Sequence, residues 1–360
     1  MTSAKRFAVR REVWGGLALD LERDRIWGFD QEKFEEFNEN SNLVDAKVDG
    51  RDPFCYDGPS FFGTFPAKVK FSLRAPISVS WTVTLRCQSA CIFCCTNSHS
   101  NGAWGADIST IKKALDNLSN WGALRLIAGG GEPLLRPDIE EILAYASEQG
   151  LAPALATNGF LLSADMAKCL APHVMQFQIS LDSVRTDEYA ALRGTAGGPH
   201  LAIEAIEHAA ATGRCVRIVT VLNSRNIEFL DEIAEVVNNS SAAQWFIFVV
   251  QPSGRGARMF HKLRLDDTDS ARMRIGEIKK YLRTDLAVCF WGDQEQDGIA
   301  VYLTEDCNLI LKDYKCNTST FLDNANSLNE PGGFITAWKK LAADAKYATL
   351  KNFVSPNRTL

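Results

Sequence analysis

The chain has 360 residues, 46% of them apolar, with 39 Lys and Arg against 44 Asp and Glu. That is enough to bury a full core, in one large domain with small additions, and the mild negative charge argues against a nucleic-acid partner. No apolar run reaches membrane-spanning length and residues 1–7 lead into charged sequence, so a cytoplasmic protein without membrane attachment is expected. Ten cysteines in a chain of this size, without an export signal, favour metal ligation and buried thiols over disulfides.

In chain order, 11–20 and 25–30 flank a charged turn and read as a hairpin, followed by an acidic helix over 31–37. From 77 onward, β-rich runs alternate with amphipathic ones. Strands are expected at 77–84, 124–128, 151–156, 174–181, 216–222 and 245–250. Helices fall between them, one with the face Ile108, Ile111, Leu115 and Leu118, and one opening at Asp138 and stopping at Gly150. Six β–α units in series imply a parallel sheet with right-handed crossovers. A second hairpin is expected from 298–303 and 308–312, near Cys289, Cys307 and Cys316. The expected organisation is an N-terminal segment over 1–75, an α/β domain over 76–265 and a C-terminal α+β extension over 266–360.

Three cysteines follow the first strand of the series, Cys87, Cys91 and Cys94, spaced C-x3-C-x2-C. A cubane iron–sulfur cluster that only transfers electrons takes four thiolates, so three leave one iron open to a substrate or cofactor. The competing assignment is a structural zinc completed by Cys95 or a distant residue, but such sites usually come as two separated knuckles. Cys95 adjoins Cys94 and projects differently, so it is read as a bystander. Every unusual segment sits at a strand end: the cysteine loop, Gly129-Gly130-Gly131-Glu132-Pro133, Thr157-Asn158-Gly159, Ser180-Leu181-Asp182 and Gln251-Pro252. Reactive groups gather at that end in parallel barrels, which favours a barrel over an open sheet.

The C-x3-C-x2-C loop with Phe93 before its last cysteine, followed one β–α unit later by Gly-Gly-Glu-Pro, resembles the radical S-adenosylmethionine (SAM) superfamily. The resemblance implies a partial (β/α)6 barrel, a [4Fe-4S] cluster on Cys87, Cys91 and Cys94, and SAM on the open iron. It places the SAM amino group at Gly130, Gly131 and Glu132, with Gly131 letting the backbone approach and Glu132 either positioning that edge or binding the ammonium. Ser180 and Asp182 would lie near the ribose and methionine portions, although a polar pair at a strand end is as often a helix cap. Arg193 would clamp the SAM carboxylate or else be a solvated surface arginine, and Phe93 would pack on the adenine or simply cover the cluster. Asn158 is a weaker candidate for the site floor, Thr220 and Asn223 weaker still, and no residue is singled out as a hydrogen donor.

The two ends extend the resemblance. The N-terminal hairpin and helix are similar to the small peptide-recognition domain of radical SAM enzymes that modify ribosomally made peptides, in which a leader peptide adds a strand; a hairpin that merely closes the barrel is the alternative. The C-terminal part is similar to a reduced SPASM or Twitch extension, but no cysteine follows Cys316. An auxiliary iron–sulfur cluster on Cys289, Cys307 and Cys316, with Cys55 or substrate as fourth partner, is therefore set against its loss, which is favoured. The resemblance implies an enzyme that abstracts a substrate hydrogen atom, with a precursor peptide as partner and flavodoxin or ferredoxin as reductant. The alternatives are a small-molecule radical SAM dehydrogenase or isomerase and a non-catalytic iron–sulfur or zinc protein.

Overall fold

The computed structural model describes residues 6–12, 15–22, 25–39, 60–62, 73–195, 197–292, 299–313, 318–324 and 338. The N-terminal unit is a meander of β1 (Phe7–Glu12), β2 (Gly15–Asp20) and β3 (Arg25–Phe29), then α1 (Gln31–Glu39) and β4 (Ser60–Phe62). Its sheet order is β1-β2-β3-β4, antiparallel except for the parallel β3–β4 pair, so the expected hairpin is one part of a four-stranded sheet. Ala18, Trp27 and Phe29 pack under Phe34 and Phe37 of α1, the two apolar positions of an otherwise acidic and polar helix.

A buried ion pair docks this unit on the rest. Arg10 Nε donates to Glu12 Oε1 at 2.7 Å, and Arg10 Nη1 donates to the carbonyls of Pro76 at 2.9 Å and Gly122 at 2.7 Å. The second Glu12 oxygen accepts from the Arg74 amide at 3.0 Å. Burial lowers the Arg10 pKa to about 10 despite the attraction of Glu12.

The main body begins with β5 (Ser78–Thr84), α2 (Ile108–Trp121), β6 (Arg125–Gly130), α3 (Ile139–Glu148), β7 (Ala152–Thr157), α4 (Ala164–Leu170) and β8 (Gln176–Ser180). It continues through α5 (Thr186–Arg193), α6 (Pro199–Ala210), β9 (Cys215–Leu222), α7 (Leu230–Asn239), β10 (Gln244–Val249), α8 (Gly254–Leu263), α9 (Thr268–Lys279) and β11 (Ala287–Trp291). Strands β5 to β11 lie side by side in chain order, all parallel, as a strand–helix repeat requires. Asp107 caps α2 by accepting from the Thr110 amide at 2.9 Å, and Gly122 ends it in a left-handed conformation. The face Ile111, Leu115 and Leu118 then covers the sheet.

The sheet is wider than the six strands expected. β11 continues it beyond residue 265, pairing in parallel with β10, Cys289 opposite Phe246. At the other edge β12 (Ile299–Leu303) adds in parallel to β5, Val301 opposite Val79, and β13 (Asn308–Asp313) and β14 (Thr318–Asn324) follow antiparallel. Cys289 thus belongs to the parallel sheet and Cys307 to the β12–β13 turn, with six strands between β11 and β12 in the sheet order. Cys307 is fully buried, which raises its thiol pKa to about 12. Cys55 and Cys316 lie outside the described residues. Among the described residues no helix is long and apolar enough to cross a membrane.

Candidate active site

Period-two alternation gives the parallel sheet two unlike faces. One is the core: Val79, Trp81 and Val83, Ile218, then Trp245 and Ile247, all buried beneath the helices. On the other, Thr82, Ala156, Ser180, Val221, Phe248 and Trp291, near the carboxyl ends of their strands, are only half-buried. Phe248 and Trp291 make ring contact with centroids 5.1 Å apart. This partly open face and the cysteine loop share the same end of the sheet.

The loop leaves β5 and is laced to itself. The Leu85 amide donates to the Ala103 carbonyl, the His99 amide to Leu85 and the Cys87 amide to His99, at 2.9, 3.1 and 3.1 Å. Cys87 is buried, Cys91 and Cys94 are half-buried and Cys95 is exposed. Each of the three spaced thiols has a polar neighbour. The Ser89 amide lies 3.4 Å and Asn158 Nδ2 3.9 Å from the Cys87 sulfur, Arg193 Nη1 lies 3.8 Å from Cys91, and Thr96 Oγ1 lies 3.4 Å from Cys94. Burial pushes the Cys87 thiol up to about 11 and also raises that of Cys91, although Arg193 opposes the latter shift.

Three distant segments clamp the loop. From the end of β6, the Gly131 and Glu132 amides donate to the carbonyls of Thr84 and Arg86, both at 2.7 Å. A Cβ on Gly131 would sit 2.1 Å from the Arg86 carbonyl oxygen, so this glycine is needed for the approach of the cysteine loop itself. From α5, the carbonyls of Arg193 and Leu192 accept from the Ala90 and Ile92 amides at 2.9 Å. From α8, the Arg255 amide and Nε donate to the carbonyls of Cys94 at 2.9 Å and Cys91 at 2.7 Å, while Nη2 reaches Ser98 O at 3.0 Å. Gly254 turns there with φ +55°, where a Cβ would lie 2.4 Å from the Cys95 carbonyl oxygen. The α8 clamp is absent from the sequence reading, although Ser253-Gly254-Arg255-Gly256 directly follows the Gln251-Pro252 singled out there.

The remaining candidates converge on the same end of the sheet. Glu132 is fully buried and both its oxygens accept from the protein: Oε1 from Thr157 Oγ1 at 2.7 Å and the Leu134 amide at 3.1 Å, and Oε2 from the Asn158 amide at 2.9 Å. These bonds tie the end of β6 to the end of β7. Burial raises its pKa, while those three donors pull it down. Asn158 Oδ1 in turn accepts from Gln88 Nε2 at 3.2 Å, tying the end of β7 to the loop. Gly130 is exposed with φ +103°, and its carbonyl lies 3.3 Å from Thr96 Oγ1. Ser180 ends β8 half-buried. Phe93 is buried against Leu192, Val250 and Leu263, which fastens the loop to α5 and α8.

Asp182 and Arg193 form a fully buried ion pair, Nη2 to Oδ2, and Asp182 Oδ1 accepts from the Val221 amide at 2.7 Å. Arg193 is therefore not a surface arginine. Burial alone would lower its pKa, but Asp182, then Cys91 and Tyr189, outweigh it and hold it above the ordinary range. Thr220 donates to Leu181 O and accepts from Trp245 Nε1, and Asn223 Nδ2 donates to Val221 O, so both serve the sheet.

Buried polar atoms ordinarily find partners, so unpaired ones are informative. Arg86 Nε, Ser89 Oγ, Tyr189 OH and Arg193 Nε are buried without a hydrogen-bond partner among the described residues, and all lie in or beside the cysteine loop. Among the described residues no three His, Cys, Asp or Glu side chains converge closely enough to chelate one metal ion. Three thiols on one loop, each with a polar neighbour, are a donor set that fits a multi-iron centre taking one thiolate per iron.

Residues 81–237 match the Radical SAM superfamily. Among curated proteins, the chain is 33% identical over 193 residues to mycofactocin maturase MftC of Mycobacterium tuberculosis, covering 53% of this chain and 49% of that one. It is 31% identical over 186 residues to the AdoMet-dependent heme synthase of Methanosarcina barkeri, covering 51% and 53%. The chain thus spans about half the length of these relatives. Among solved structures it is similar to Streptococcus suis SuiB bound to S-adenosylmethionine, with a TM-score of 0.64, 14% identity, and 94% of this chain and 88% of that chain covered. The fold is also shared with SuiB bound to its precursor peptide SuiA, at a TM-score of 0.62 and 14% identity, over 97% of this chain and 90% of that one. The cysteine loop, the glycine-rich strand end and strands β6 to β9 all lie inside the matched region, so residues 81–237 form a radical SAM domain.

Proposed function

We propose that this protein is a radical SAM enzyme that modifies a ribosomally made peptide, with Cys87, Cys91 and Cys94 as the cluster ligands. The observation that carries this reading is the loop that presents three thiols at the carboxyl end of a parallel sheet and is clamped by β6, α5 and α8. Cys87, Cys91 and Cys94 would hold a [4Fe-4S] cluster, which with SAM would supply the one-electron reductive cleavage chemistry. The protein's part is to hold and exclude. Burial keeps water from Cys87, and the lacing of the loop fixes where the half-buried Cys91 and Cys94 stand. Glu132 holds the ends of β6 and β7 in register, so that the Gly130 edge and Ser180 face the SAM side of the loop. The half-open sheet face, with Phe248 and Trp291, is the wall along which the substrate group would lie.

The peptide substrate is favoured by the N-terminal four-stranded sheet and by the likeness to a maturase and to a structure holding a precursor peptide. A flavodoxin or ferredoxin is the proposed reductant. The small-molecule reading is favoured by the likeness to a heme synthase, and the two are separable. Anaerobically reconstituted protein should bind about four irons and cleave SAM with dithionite. Incubated with SAM and a short peptide encoded beside its gene, it should change that peptide's mass. Iron and SAM cleavage with an unaltered peptide, but turnover of an iron porphyrin precursor, would select the second reading. Absence of iron would refute both.

A further inference from the structure

The buried pair Asp182–Arg193 lies against the cysteine loop. Arg193 ends α5, and its main-chain carbonyl accepts from Ala90, so its backbone is part of the loop's anchorage. Its side chain turns inward. The guanidinium meets Asp182 through Nη2, stands 3.8 Å from the Cys91 sulfur through Nη1, and lies 5.7 and 5.8 Å from the rings of Tyr189 and Phe93. Asp182 is held on its other oxygen by the Val221 amide, so the arginine is oriented by a carboxylate that is itself fixed in the sheet.

We propose that Arg193 is a positioning and electrostatic tuning residue of the cluster, donating to the Cys91 sulfur and raising the reduction potential of the iron bound there, with Asp182 setting its orientation. The inference rests on the reading that Cys91 ligates an iron. A hydrogen bond to a ligand sulfur and a nearby positive charge both favour the form of the cluster that carries the extra electron. Close range and low exposure make the interaction strong, because little solvent screens a charge buried this deeply. Asp182 acts in the opposite sense, and the pair is therefore a balance, one charge favouring reduction and the other opposing it. Arg193 would serve the metal ahead of the SAM carboxylate, since Nη1 and Nη2 are already turned to Cys91 and Asp182.

The balance predicts shifts of opposite sign, which loss of packing does not produce. The experiment is an EPR-monitored redox titration of anaerobically reconstituted protein without SAM, with iron counted in every sample. Arg193→Gln should keep its iron and be harder to reduce, by about tenfold in the reduction equilibrium, ~59 mV for one electron. Arg193→Lys, which retains the charge, should recover at least half of that shift. Asp182→Asn, which leaves Arg193 unbalanced and can still accept from Val221, should be easier to reduce than the parent. If Arg193→Gln cannot hold iron, the Lys and Asn variants decide, since shifts of the same sign or none overturn the proposal. Parent-like potentials in all three with SAM affinity lost in Arg193→Gln would overturn it in favour of a carboxylate clamp. A parent protein that binds no iron would instead bring down the functional reading, and this inference with it.

Discussion

Two buried arginine–carboxylate pairs sit in different surroundings. Arg10–Glu12 joins the N-terminal sheet to the main body, and its other bonds all go to backbone: Pro76, Gly122 and Arg74. Asp182–Arg193 has one backbone anchor, Val221, and turns its remaining face to a cysteine sulfur. Burial prevails at the first and lowers the Arg10 pKa; charge prevails at the second and raises that of Arg193. The same chemical pair is a staple where its neighbours are neutral carbonyls, and an electrostatic device where a thiol adjoins it. Burying an ion pair is thus poor evidence of purpose until its third neighbours are named.

The contrast can be tested by asking which variant loses metal and which loses stability. Cys91→Ala should lose the cluster and all SAM cleavage, while the urea unfolding of the apoprotein stays within about 1 kcal/mol of the parent. Retained cleavage would end the ligand assignment. Gly131→Val should displace the Arg86 carbonyl and hence the cysteine loop, lowering iron retention and SAM affinity together. Loss of SAM affinity with a full iron complement would instead return this glycine to the SAM edge alone.

Arg10→Met should do the reverse of Cys91→Ala, costing about 3–5 kcal/mol in urea unfolding because Glu12 is left buried without its cation. Iron content in buffer should be unaffected. The double variant Arg10→Met/Glu12→Leu should regain most of the loss, and failure to do so would mean that the backbone bonds, not the charge pair, carry the docking. The smallest effect is expected from the triple Ala variant of Cys289, Cys307 and Cys316, about 1–3 kcal/mol with iron unchanged. A fall of three or four irons per chain in the folded protein would establish an auxiliary cluster.

What could be read in the sequence was what a short stretch of chain encodes. The alternation of Val79, Trp81 and Val83 with Ser78, Ser80 and Thr82 marks a strand without reference to anything else, and the spacing of Cys87, Cys91 and Cys94 is local by definition. Roles that depend on a partner far along the chain were not legible. Gly131 reads as a ligand-approach glycine, and only the fold shows Arg86 against it; Arg193 reads as a carboxylate clamp or a surface arginine, and only the fold shows Asp182 and Cys91 beside it. The strand around Cys289 went unread for a different reason. Grouping that cysteine with the later ones hid the β-rich run Ala287–Trp291, which only its pairing with β10 identifies.

The α8 clamp also carries a consequence in time. Arg255 reaches the Cys91 carbonyl across 164 residues, and Arg193 reaches its sulfur across 102. During synthesis the three thiols emerge long before either arginine, so the proposed cluster seat does not exist until most of the sheet has closed over it. Iron loading is then expected to follow folding rather than guide it, and to lock a chain already in its native topology by mass action. A chain cut after α7 should leave the thiols open to oxidation.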